Sequence, residues 1–211
     1  MDKIKCFFYE PSTEVKRTFR RYETGNCPGK NSSFHNAQLL RDIITVPVAA
    51  KDEETDPRLI CRPPSAELRE KFPVKCDHCD FYFTESSEYQ LNSDRLYTSA
   101  ETKLFFTLRE LPPGAMYFAD WMLINRTSNL FRGPDNHCLA VILPDEHPWL
   151  VDSRANNCTL PEDNEHKCWV RHGEPPLITV DKNGLTCAAG AGSIQTSKWH
   201  GFLRNGYLEE C

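Results

Sequence analysis

Two cysteines separated by two residues, in Cys76-Asp-His-Cys79, constrain this chain more than any other feature. That spacing lets both sulfurs face one tetrahedral ion while the intervening amides hydrogen-bond the thiolates, as in a zinc knuckle. Asp77 and Asp80 flank the pair, and neighbouring carboxylates disfavour a bare thiolate, so a bound cation suits the arrangement. A redox role would call for a βαβ setting and a following helix to lower a thiol pKa, and neither is signalled. The expected fold therefore carries a metal staple, with Zn2+ as the ion.

A knuckle supplies half of a tetrahedral site, so the other ligands must come from elsewhere in the chain. The stretch 166–208 is the richest source, with Cys168, Cys187, His166, His172 and His200. Cys187 and His200 are the first choice: Cys187 opens CAAGAGSI, whose glycines allow close backbone approach to an ion, and His200 lies in the strand expected after it. Cys158 and Cys168, with His166 between them, are the alternative. A second four-ligand set can also be drawn from Cys158, His166, Cys168 and His172. Cys6, Cys27, Cys61 and Cys211 read as isolated thiols.

Ten cysteines in 211 residues could instead form disulfides. The opening MDKIKCFFYEP, however, has too short an apolar run and no small-residue cleavage site for a signal peptide. Metal ligation by thiolates is then the better explanation. No apolar stretch approaches the roughly 18 residues of a membrane helix, so the expectation is a soluble protein made in a cytosol. Hydrophobic residues make up 39% of the chain and mean hydropathy is -0.56, which predicts a thin core and makes cross-links more valuable. The net charge of -5 argues against general capture of nucleic acid. Lys16-Arg17-Thr18-Phe19-Arg20-Arg21-Tyr22 is the local exception and reads as a solvated face or an arm for an acidic partner.

Taken in order, KIKCFFY (3–9) predicts a strand closed by Pro11. Val15, Phe19 and Tyr22 suit one face of a short helix over 12–22. GNCPGKNSS (25–33) is a loop, 34–48 has an apolar centre of unassigned type, and AKDEETDP (50–57) is a surface excursion. Ser65 caps a short helix running to Phe72, where Pro73 stops it. This first part, 1–73, reads as an extended arm or small appended layer. From 74 to 211 the pattern becomes β. Strands are expected on either side of Ser99-Ala-Glu-Thr102 and at CLAVIL (138–143), with a return at Trp149–Asp152 and hairpin turns at Asn183-Gly184 and Asn205-Gly206. Ala115–Ile124, rich in aromatics, should be mostly buried. The fold class is α+β, mainly antiparallel sheet with short helices.

Catalytic readings rest on few residues. His172-Gly-Glu174 matches half of a zinc-deaminase signature, in which the Glu is general acid/base, but no Pro-Cys-x-x-Cys follows. A Cys-His-Asp triad can be assembled from Cys158 or Cys138, His172 or His200, and Asp152. Ala188–Ser193 lacks the lysine and spacing of a phosphate-binding loop.

With these residues in view, the chain resembles a group of proteins of unknown function encoded in tailed-bacteriophage genomes. The likeness lies in KCDHCDFYFT (75–84), LPPGAMYFADWM (111–122), the 152–158 segment, CWVRHGEPPLITVDKNGLTCAAGAGSI (168–194) and WHGFLRNG (199–206). RRYETGNCPGK and FHNAQ match more loosely. There is a more distant likeness to a small zinc-binding bacterial domain with an N-terminal knuckle and a C-terminal Cys-x-x-His-Phe-Trp-Ile-x-x-Gly pattern. Trp199 stands near the place of that pattern's cysteine, which is why Cys187 is nominated. The resemblance implies a metal and a phage setting, either host cytoplasm or virion. The resulting expectation is a non-enzymatic, zinc-stabilised accessory or virion module that binds another phage- or host-encoded protein. The alternative is a zinc- or cysteine-dependent hydrolase or deaminase-like enzyme acting on host metabolites or nucleic acid.

Overall fold

The computed structural model describes residues 3–45, 65–123, 131–160, 162, 163, 166–182, 187 and 192–211. The expected excursion at 50–57 and the Asn183-Gly184 turn lie outside them. The described chain is mainly antiparallel β-sheet with a single short α-helix. It divides into two compact units, Pro11–Tyr97 and Met1–Glu10 with Thr98–Cys211. The boundary expected near residue 73 falls inside the first of these. Among the described residues no helix is long and apolar enough to cross a membrane.

The described chain opens with two short strands, β1 (Lys3–Lys5) and β2 (Phe7–Phe8). The Pro11–Tyr97 unit is then built on a long hairpin of β3 (Glu10–Cys27) and β4 (Ser32–Thr45). The expected helix over 12–22 is thus a strand. Val15 and Phe19 are four apart, and four is close to one helical turn but also an even number of strand steps, so both side chains share a face in either form. Both are buried. Tyr22, an odd number of steps away, falls on the other face and meets Phe34 edge-to-face at 6.3 Å. With Thr13, Val15, Thr18, Phe19, Tyr22 and Thr24 in one run, β-favouring residues and a paired partner strand decide the outcome. The stretch of unassigned type is the partner, β4. Helix α1 (Ala66–Glu70) is capped by Ser65, whose Oγ accepts from the Leu68 amide at 3.3 Å. Phe72 beyond it packs between Phe19 and Tyr89. Tyr89 lies on β5 (Glu88–Thr98), which adjoins β3.

In the other unit, β6 (Phe105–Thr107) follows the Ser99–Thr102 turn. Strand β7 (Ala115–Phe118) pairs β8 (Leu139–Ile142), and β8 pairs β9 (Pro148–Leu150), while β2 lies parallel to β7. All of β8 is buried, the mark of a strand covered on both faces. A hairpin of β10 (Trp169–His172) and β11 (Thr179–Lys182) stands alone as a two-stranded sheet. The third sheet runs β1, β14 (Tyr207–Glu210), β13 (His200–Arg204) and β12 (Ile194–Gln195). Its β13–β14 turn holds Asn205 at φ 48° and Gly206 at φ 74°, the left-handed pair expected of a two-residue Asn-Gly hairpin. Met116, Leu139, Val141, Ile178, Leu203 and Leu208 are among the side chains of the shared core. Trp121, expected to be buried, is 45% exposed. It sits on a 3-10 turn (Asp120–Met122) that ends β7's run and stacks on Tyr117 at 6.0 Å.

Candidate metal centres

The first centre is made where the β3–β4 hairpin meets the knuckle. Cys27 ends β3, His35 sits in β4, and Cys76 and Cys79 come from a tight loop closed by the Cys76 amide donating to the Phe81 carbonyl at 2.9 Å. The loop docks along β4: the Asp77 amide donates to the Asn36 carbonyl, and the Gln38 amide to Asp77 Oδ2. Four donor atoms converge within 4.8 Å of one another. Cys27 Sγ lies 3.9 Å from Cys76 Sγ and 3.7 Å from Cys79 Sγ, and His35 Nδ1 lies 3.2 Å from Cys79 Sγ. Tetrahedral zinc with sulfur bonds of about 2.3 Å requires sulfur–sulfur edges of roughly 3.8 Å, so the donor cage has the right size. The sulfurs are far too separated for a disulfide bond of about 2.05 Å.

Electrostatics favour a cation at this point. Burial works to raise the Cys76 pKa, but amide hydrogen bonds from His78 and Asn36, aided by the Cys79 and Cys27 thiols, hold it below the ordinary thiol value. The Phe81 amide works to lower Cys79, yet burial and the adjoining Cys27 and Cys76 sulfurs leave it raised. One thiolate thus suppresses the next, a conflict that a dication removes. Two glycines make the approach possible. A Cβ on Gly25 would stand 2.8 Å from the His35 ring, and one on Gly29 would stand 1.6 Å from the His78 carbonyl oxygen. The ring is also stacked on Phe81, with centroids 3.8 Å apart and 5° between planes.

A second donor set is held by the other unit: Cys158, His166, Cys168 and Cys187, again within 4.8 Å of one another. Cys168 Sγ is 3.6 Å from His166 Nε2 and 3.9 Å from Cys187 Sγ, and the Leu160 amide donates to Cys158 Sγ at 3.5 Å. Burial pushes the Cys168 thiol up to about 12, with the Cys158 and Cys187 thiols adding to it and the Ala155 amide opposing. In both sets the histidine follows its first cysteine by eight positions. The imidazole, however, offers Nδ1 in the first and Nε2 in the second.

These sets redistribute the expected ligands. Cys76 and Cys79 do share a site, but with Cys27 and His35, neither of which was nominated. Cys27 is therefore no isolated thiol. Cys187 belongs with the residues named as alternatives, Cys158, His166 and Cys168. His200 is exposed on β13 opposite Gln195 and belongs to neither set. His172 is also absent from the second set: it ends β10, where it is exposed and lies 3.5 Å from Asp181. The remaining isolated thiols include buried Cys6, pushed up to about 12 by burial, and exposed Cys211; Cys61 lies outside the described residues.

The triad residues separate in the same way. Cys138 is fully buried, and burial raises its pKa to about 11, with the Asp152 and Asp120 charges adding to it, so its thiol stays protonated near neutrality. Asp152 faces an arginine rather than a histidine: Arg171 Nε is 3.5 Å from its Oδ1, and Arg171 Nη2 donates to Asp135 at 2.6 Å. Gly133 makes room for that guanidinium, since a Cβ there would fall 1.9 Å from Arg171 Nη2. Glu174 is exposed and outside both donor sets. The chain therefore carries two Cys3His clusters compatible with metal binding, one in each compact unit. Comparison with family models, curated proteins and solved structures finds no match.

Proposed function

We propose that this chain is a non-enzymatic binding module stabilised by two structural zinc ions, acting as an accessory or virion component in the phage setting that the resemblance implies. The observation that carries this reading is the closure of both donor sets, three sulfurs and one imidazole nitrogen in each. An ion held by four protein ligands keeps no position for an activated water, so it supplies folding energy rather than a nucleophile. Zinc suits a compact thiolate-rich set; magnesium and calcium demand oxygen donors, and common iron–sulfur clusters use four cysteines. The deaminase-like alternative needs a carboxylate beside an open metal position, and Glu174 stands outside both sets.

A partner protein is supported by the surface of the Pro11–Tyr97 unit. Ile43 is 55% exposed on β4, and Val74 and Tyr82, bracketing the knuckle, are each 65% exposed. Tyr82 is of the aromatic type enriched among the anchors of protein contacts, and Ile43 and Val74 add apolar surface in the same unit.

Elemental analysis of purified protein tests the zinc reading. The expected result is two equivalents of zinc per chain, released by thiol modification. Less than about a tenth of an equivalent in a folded protein would overturn it. Stoichiometric iron, or zinc with a water ligand by X-ray absorption, would also overturn it.

A further inference from the structure

We propose that the groove beside the second metal centre binds a neutral saccharide. The groove has a volume of about 840 Å³ and lies between β9, the 153–157 segment and β12. Its size is that of a small-ligand site, roughly 300–1,000 Å³. It is distinct from the protein-contact surface proposed above, which belongs to the other compact unit.

The apolar part of the groove is a corner of two indoles. Trp149 and Trp169 meet edge-to-face, with centroids 5.3 Å apart and planes at 85°, and both pack against the core. The negative face of an aromatic ring attracts polarised C–H groups, and the C–H face of a pyranose is such a surface. The polar part is made of amides and hydroxyls: Asn156, Asn157 and Gln195, with Ser153, Ser193 and Ser197. A primary amide donates and accepts from one planar group, matching vicinal sugar hydroxyls that do the same.

Charge and edge geometry narrow the choice of ligand. Asp145 and Arg154 bring one formal charge of each sign. Asp145 is already engaged by Thr196 Oγ1 at 2.6 Å, and Arg154 Nε by the His166 carbonyl at 3.4 Å. His147 is the other titratable group on the wall. One guanidinium balanced by one carboxylate is not the cluster of cations that a phosphate or nucleic-acid ligand calls for. Strand addition by a peptide needs a sheet edge, and here β9 spans three residues beginning with Pro148, which has no N–H, and β12 spans two.

Two walls of the groove are tied to the metal centre by chain continuity. Asn157 precedes Cys158 and Trp169 follows Cys168, so the ligating cysteines position them.

The test uses the full-length, metal-loaded protein on an array of neutral, sialylated and sulfated glycans, beside an array of random peptides. Hits are titrated by calorimetry and tryptophan fluorescence. Saturable binding of neutral oligosaccharides with a change in indole emission is the expected result. Asn156→Ala and Gln195→Ala alter exposed side chains, and each should weaken binding about tenfold, the loss of one or two ligand hydrogen bonds, with an unchanged melting temperature. Three outcomes would overturn the proposal: no neutral glycan retained, retention confined to anionic glycans or peptides, or both variants binding as tightly as the parent.

Discussion

At the scale of single residues, the least conspicuous positions carry the strongest constraints. Gly29 lies in a loop that punctuation alone explains, yet the His78 carbonyl occupies the space its Cβ would fill, at 1.6 Å. That obstacle is backbone and cannot rotate away. Gly29→Ala should therefore separate the hairpin turn from the knuckle, lower stability by about 3 kcal/mol, and reduce bound metal from two equivalents towards one. Metal content and thermal melting of the purified variant measure both, and a variant holding two equivalents at the parent's melting temperature would refute the close-approach argument. Asp152 offers a different test. Its pKa rises from 3.8 to about 6, mainly through burial, with Arg171 opposing. A carboxyl whose folded value is raised adds stability that is complete below pH 4 and lost as pH climbs through about 6. Asp152→Asn has no such ionisation. The difference in unfolding free energy should accordingly move in the variant's favour by on the order of 2 kcal/mol between pH 4 and pH 7. Denaturant titrations of both proteins across that range check it, and a difference independent of pH would contradict it.

At the scale of elements, what could be read from sequence was what local chemistry decides. Ser65 caps a helix because its hydroxyl reaches an amide three residues on. CLAVIL is a strand because its run of apolar residues is covered on both faces. Asn205-Gly206 makes the β13–β14 turn because both positions accept left-handed φ. That turn also sets register: Leu203 stands opposite Leu208, and both are buried, so a slip of one residue would turn each out of the core. Gly206→Ala meets a positive φ and the Pro176 carbonyl 2.7 Å from its new Cβ. It should cost about 1–3 kcal/mol, measured by urea unfolding, and a cost near zero would show that the turn does not hold the register. Over 12–22 the spacing alone does not decide, because a step of four serves a helix and a strand alike. The sites divide along the same line. Cys76 and Cys79 were legible because two ligands lie on one loop. Cys27 and His35 reach them only after β3 pairs with β4 and the knuckle docks on β4, events that no spacing within the knuckle reports. The eight-position step from cysteine to histidine, present in both sets, was the available signal.

At the scale of the whole molecule, the arrangement of ligands matters more than their number. Each donor set draws only on residues of its own compact unit: Cys27, His35, Cys76 and Cys79 within Pro11–Tyr97, and Cys158, His166, Cys168 and Cys187 within the other. Structural zinc contributes on the order of 10 kcal/mol of apparent binding energy that is also folding energy in small domains, close to the whole stability of an ordinary domain. Loss of one ion should then unfold one unit and spare the other. Cys76→Ser leaves three ligands around the first ion, and Cys168→Ser does the same for the second. Each variant should bind one equivalent of zinc. Hydrogen exchange then locates the damage: Cys76→Ser should strip protection from β3 and β4 while β8 and β13 keep theirs, and Cys168→Ser should do the reverse. His200→Ala is the control, since His200 lies outside both sets, and it should retain two equivalents and the parent's exchange pattern. If either cysteine variant lost protection throughout the chain, the two metals would be holding one cooperative fold rather than two. If Cys76→Ser kept both ions and its β3 protection, Cys76 would not be a ligand that the first ion needs.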